Sequence, residues 1–148
     1  MERKMTTTAT MTLMVLNKDK MSVRQEQDVV PCRNRIKEYA VRIGMGLVNQ
    51  TKLITAASEL LRNMLRYGGG GECLVEIVTR GRDTGVRLTF SDKGPGIPDI
   101  SAAMRDGFST GKSLGLGLPG AKRLSNEFDL KSKPGEGTVV MIIKWANG

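Results

Sequence analysis

Residues 85–92, Gly-Val-Arg-Leu-Thr-Phe-Ser-Asp, alternate large apolar side chains (Val86, Leu88, Phe90) with polar ones (Arg87, Thr89, Ser91). Successive strand side chains point to opposite faces, so this stretch suits a sheet with one face covered and the other wet. The chain carries its own cover. Residues 28–43 place Val29, Cys32, Ile36, Tyr39, Ala40 and Ile43 near a helical period, and Gly44-Met45-Gly46 ends the run. Residues 47–67 repeat Leu53, Ala57, Leu60 and Met64 at intervals of four, three and four, a second amphipathic helix stopped by the four glycines 68–71.

A strand is expected over Cys73–Thr79, turned into residues 85–92 at Gly81–Gly85. Pro98 opens a short helix to about Asp106, and Leu116–Asn126 reads as helical again. Residues 128–132 and 138–145 form a closing pair, the second almost uniformly apolar and therefore interior. Upstream, the apolar stretch Met11–Leu16 feeds a first strand. The order β-α-α-β-β-α-loop-α-β-β is met most simply by an α/β two-layer sandwich, one sheet of mixed direction with helices on one face. The expected organisation is a flexible polar leader over residues 1–10 and a single domain over 11–148.

Composition narrows the chemistry. A chain of 148 residues can bury a core without disulfides. No apolar run approaches the ~20 residues of a membrane span. Met11–Leu16 is too short for a signal-peptide core, so a cytoplasmic protein with no membrane partner is expected. There is no histidine, and Cys32 and Cys73 lie far apart with no C-x-x-C, which argues against zinc and against a Ser-His or Cys-His pair. Magnesium is compatible with this composition. The net charge of +8 comes from scattered residues with no run of five, and few aromatics are available to stack on bases. The expectation is an acidic protein partner or a nucleotide, and no nucleic acid.

Two glycine loops compete for a phosphate. Residues 107–113 read Gly-x-x-x-Gly-Lys-Ser, one residue short of a P-loop and preceded by a helical pattern rather than a strand. Residues 115–120 match Gly-x-Gly-x-x-Gly but do not leave a strand as a dinucleotide site requires. What remains is a loop whose free N–H groups open a helix and suit an anion. Glu59 and Asn63, four apart, project from one side of the second helix beside its apolar stripe. A carboxylate and an amide there could activate a nucleophile and ligate magnesium; the same residues also suit a solvated face with Glu59 paired to Arg62 or Arg66. Asp92 ends its strand and is followed by Gly94, Pro95, Gly96 and Pro98. A strand-end carboxylate can accept a hydrogen bond from the exocyclic amine of adenine where guanine presents an acceptor, which favours ATP over GTP.

Together these residues resemble the ATP-binding fold shared by gyrase, the Hsp90 chaperones, histidine kinases and MutL, the GHKL or Bergerat fold, from about Met11 to Trp145. Its E-x-x-x-N motif falls at Glu59 and Asn63, D-x-G-x-G at Asp92, Gly94 and Gly96, G-x-G-L at Gly115, Gly117 and Leu118, and G-x-G-T at Gly135, Gly137 and Thr138. Residues 92–100, 106–110 and 116–124 are most similar to the RsbT-like switch kinases of bacterial partner-switching and stressosome signalling. The resemblance implies a serine/threonine kinase that uses ATP and magnesium to phosphorylate a STAS-domain antagonist and, when released, activates a PP2C-type phosphatase. It implies Glu59 as general base, Asn63 on Mg²⁺, and Asp92 on the adenine amine with Thr138 supporting it through water. Gly94 and Gly96 would let backbone approach the nucleotide. Gly115, Leu116, Gly117 and Leu118 would cradle phosphates, and residues 100–114 would form a mobile lid with Phe108 as its packing anchor. Arg66 and Lys112 are expected near phosphate. The small anti-sigma members of the superfamily imply the alternative, a nucleotide-gated binding protein that holds a sigma factor with little catalysis. The four glycines after Tyr67 depart from the family pattern and predict a looser helix end.

Overall fold

The computed structural model describes residues 12–97, 99–104 and 117–148. Strand β1 (Leu13–Val23) passes through one 3-10 turn (Glu26–Asp28) into helices α1 (Val29–Arg42) and α2 (Leu47–Gly68). Strands β2 (Gly71–Arg80) and β3 (Asp83–Asp92) follow, then the one-turn helix α3 (Ile100–Ala103), helix α4 (Leu118–Leu124) and strands β4 (Glu127–Lys133) and β5 (Gly137–Trp145). Among the described residues the strands form one sheet in the order β1-β2-β3-β5-β4.

The two-layer α/β architecture is the one the pattern implies, but the sheet is antiparallel at every pairing rather than mixed. The reason is that β1 and β2 are joined by two helices. One crossover helix delivers the chain to the far end of a sheet and makes parallel neighbours. A helix pair brings it back to the end it left, so Val23 at the close of β1 pairs with Gly71 at the start of β2. Strands β3 and β4 do run the same way, with β5 between them.

The first strand is present where expected and extends well past its apolar start. It runs on to Val23 through Asn17-Lys18-Asp19-Lys20, and the apolar residues Met14, Val15 and Leu16 are exposed. A break in register between Val15 and Asn17 precedes the inward-facing end, Met21 and Val23. An edge strand tolerates this polarity, because its lysines guard an unpaired side.

The helical stripes behave as their spacing predicts. Cys32, Ile36, Tyr39 and Ala40 of α1 and Leu53, Ala57, Leu60 and Met64 of α2 are buried against Cys73, Val75, Leu88, Phe90, Val140 and Ile142 of the sheet. Both cysteines are free core thiols. Helix α1 is further tied to β1 by Tyr39, whose hydroxyl donates to Asp19 at 2.6 Å; burial first, then that acid, pushes the phenol up to about 12.

The uncovered face is closed by charge. Arg87 bonds Glu76 at 2.7 Å across the β2–β3 ladder, and the Glu76 side chain is only 6% exposed. Arg80 reaches Glu127 and lies 5.5 Å from the Trp145 ring centroid. Removing one partner of a buried pair strands the other, whereas the half-exposed Arg80–Glu127 pair leaves a survivor that water can reach, so it is worth less. Arg87→Ala should therefore lower unfolding stability by about 3 kcal/mol, and Arg80→Ala by about 1 kcal/mol, as read by urea denaturation; equal costs would contradict the burial argument.

Candidate functional site

The last turns of α2, the end of β3, the start of β5 and the start of α4 line a shallow cleft. Leu60, Met64, Phe90 and Val140 give it an apolar floor, while Asn63, Asp92 and Thr138 supply convergent polar groups. An apolar cleft with a few placed polar groups is the usual chemistry of a small-molecule site.

Asp92 closes β3 directly opposite Thr138 of β5. Its carboxylate accepts the Gly94 N–H at 2.9 Å and also the Thr138 N–H. Burial still pushes its carboxyl above the usual 3.8, with those two bonds opposing the rise. The acid is held on its other side by α2. A methyl group on Gly68 would lie 2.6 Å from Asp92 Oδ2, and one on Gly94 would lie 2.7 Å from the Gly68 Cα.

The expected looseness of the glycine run is therefore absent. Gly68 is still helical, Gly69 takes φ +75° to end the helix, and the Gly70 N–H donates to the Met64 carbonyl at 2.9 Å, six residues back. The Gly69 N–H donates to the same carbonyl, so the helix end is closed by two bonds onto one carbonyl of its last turn. Gly71 then begins β2 against the Ser91 carbonyl.

The pair on α2 is shared between the cleft and the contact with α4. Asn63 lines the cleft. One turn earlier, Glu59 lies against Gly117, where a methyl group would sit 3.1 Å from Glu59 Cδ at a backbone φ of +69°. Glu59 Oε1 also accepts Arg62 Nη1 at 2.7 Å, so the ordinary helix-face pairing exists alongside the approach to α4.

Gly96 and Leu118 line the same cleft. Arg66 stands outside the lining, exposed, with its guanidinium 5.9 Å from the Tyr67 ring centroid. Lys112, Gly115, Leu116 and Phe108 lie outside the described residues, as does most of the expected lid.

Sequence reasoning missed Tyr67, Gly68 and Ile97 as lining residues, and Ser132 behind them. Ser132 accepts the Ile97 N–H at 2.8 Å and lies 2.8 Å from the Thr138 hydroxyl. Counting the hairpin register outward from the turn at residues 133–137 would have found it, since Ser132 pairs with Thr138.

The family model described as Histidine kinase-, DNA gyrase B-, and HSP90-like ATPase matches residues 48–146. The chain is 46% identical over 123 residues to Serine/threonine-protein kinase RsbT of Bacillus subtilis (strain 168), covering 83% of this chain and 92% of that protein. It is 26% identical over 135 residues to the Anti-sigma F factor of Pasteuria penetrans, covering 82% and 89%.

The raised Asp92 value has a consequence for stability. A carboxyl whose folded value exceeds its unfolded one costs the fold stability when ionised, and the cost vanishes as pH falls through the raised value toward 3.8. Ligand-free Asp92→Asn should melt higher than the wild type at pH 7, and the two should converge as pH approaches 4; a lower melting point at pH 7 would contradict the burial argument.

Proposed function

We propose that this chain, which belongs to the Histidine kinase-, DNA gyrase B-, and HSP90-like ATPase family on its RsbT-like branch, is an ATP-dependent protein serine/threonine kinase of a bacterial partner-switching system. The observation that carries this reading is 46% identity to a serine/threonine-protein kinase across 92% of that protein's length. The cleft is chemically consistent with it.

Asp92 and Thr138 would receive the adenine, and the apolar floor of Leu60, Met64, Phe90 and Val140 would exclude water from its faces. Asn63 would hold magnesium through its amide oxygen. Among the described residues no three acidic or cysteine side chains converge as a metal cage. One amide oxygen suits magnesium, which takes few protein oxygens and completes its shell from phosphates and water. When bound, ATP and magnesium supply the transferable phosphoryl group and neutralise its charge.

Glu59 would take the proton from the substrate hydroxyl. Its tie to Arg62 joins side chains 34% and 53% exposed, an ion pair worth at most about 1 kcal/mol, so it can orient the carboxylate without locking it. Phosphoryl transfer asks a protein mainly for positioning and electrostatics, and these few groups meet that need.

The acceptor in this reading is a serine or threonine of a STAS-domain antagonist, and the released kinase binds a PP2C-type phosphatase. The net charge of +8 suits acidic partners. A second reading, a nucleotide-gated anti-sigma factor with little catalysis, is favoured by the similarity to anti-sigma F factors.

Labelled γ-phosphate from Mg-ATP should appear on a cognate STAS-domain protein when the two are incubated with this chain. Glu59→Gln should slow that transfer by about 100-fold or more while nucleotide affinity changes little. Intact binding of nucleotide and antagonist with no transfer would sink the kinase reading, and a stoichiometric complex with a sigma factor would then favour the second.

A further inference from the structure

We propose that Ser132 determines which purine the cleft accepts, by fixing the direction in which the Thr138 hydroxyl sends its proton. The inference rests on the reading of the cleft as a nucleotide site and adds a specificity-determining residue that does not itself line it.

Three contacts converge on Ser132 Oγ. The Ile97 N–H donates to it at 2.8 Å, it donates to the Gly137 carbonyl at 3.0 Å, and it lies 2.8 Å from Thr138 Oγ1. A serine hydroxyl has one proton and two lone pairs. Ile97 occupies one lone pair. If the proton goes to Gly137, the other lone pair accepts the Thr138 proton and all three contacts are hydrogen bonds. If it goes to Thr138 instead, the Gly137 oxygen faces a serine lone pair at 3.0 Å with no proton between them. Only the first arrangement satisfies every contact.

Thr138 lines the cleft, and its proton is turned away from it toward Ser132. Its Oγ1 therefore offers a ligand lone pairs alone. Asp92, its partner across the ladder, is likewise an acceptor. Two acceptors side by side fit the donor-bearing exocyclic amine of a 6-aminopurine, directly or through one water. A 6-oxo purine brings a carbonyl oxygen against the same lone pairs. A site built to pair a polar group rejects an analogue that cannot complete the pairing. Asp92 gives part of this discrimination; Ser132 extends it to the second acceptor by removing the hydroxyl's freedom to turn round.

ATP and inosine triphosphate share sugar and phosphates and differ on the purine at this edge, so their affinity ratio for the full chain, measured by calorimetry, reads the effect. Ser132→Ala frees the Thr138 proton to turn into the cleft, and the preference for ATP should fall by about tenfold, the worth of one hydrogen bond. Any loosening of the Ile97 turn weakens both nucleotides and cancels in the ratio. In a Thr138→Val background there is no proton to redirect, so adding Ser132→Ala should leave the ratio unchanged. Should Ser132→Ala not fold, Ser132→Cys, whose thiol is a weak donor and acceptor, should move the ratio the same way to a lesser degree. An unchanged ratio in the single variant, or an equal fall in both backgrounds, overturns the proposal. ATP binding to the full chain and to Asp92→Asn separates the two levels: no binding to the unaltered chain removes the nucleotide reading itself, undiminished binding to Asp92→Asn removes the seating of the purine against Asp92 and with it the role of Ser132, and binding lost in Asp92→Asn with an unmoved Ser132→Ala ratio removes only the role of Ser132.

Discussion

The last turn of α2 presses against the end of β3 so closely that neither Gly68 nor Gly94 has room for a methyl group. The arrangement of the cleft follows from that contact. The helix carrying Asn63 is set directly beside the strand-end acid, and the acid is set against the sheet by the Thr138 ladder pair. Side chains at the glycine positions would wedge helix and strand apart and open the cleft at its base end. The glycine run is thus a packing device at Gly68 and Gly71 and a chain-reversal device at Gly69, rather than a flexible hinge.

The two faces of the sheet solve different problems. The covered face is a continuous apolar core, and the cleft is where that core reaches the surface between α2 and α4. The uncovered face shields its apolar strand residues with charge pairs, among them the nearly buried Glu76 with Arg87. The hairpin joining β4 to β5 links the two ends of the site differently, through hydroxyls: Ser132 connects the Ile97 turn to Thr138 without any charge.

Much of this was readable in the residues. The four-three-four spacing of Leu53, Ala57, Leu60 and Met64 is local, and a helix presents that stripe whatever it packs against. The convergence of Asn63, Asp92 and Thr138 was legible only because several motifs resemble a known family, since no local rule brings residues of three distant segments together. The strand direction was not legible, because it depends on how many helices separate two paired strands, a property of topology rather than of any residue. The existence of the first strand was legible but its far end was not, because an edge position tolerates the polar residues Asn17–Lys20 that argue against a strand in isolation. Ser132 was overlooked because a lone serine in a polar hairpin has no pattern; its importance is a matter of register.

Because α2 ends on the Gly68–Asp92 contact and carries the polar pair upstream, the helix also works as an angular vernier. Each residue advances it by about 100°, so the five positions from Asn63 to Gly68 fix the azimuth at which the amide meets the cleft. Deleting Leu65 alone would keep every side chain assigned to the site, and the glycine contact could re-form, yet Glu59 and Asn63 would swing toward the core. The chain can vary the chemistry of that interval more freely than its length.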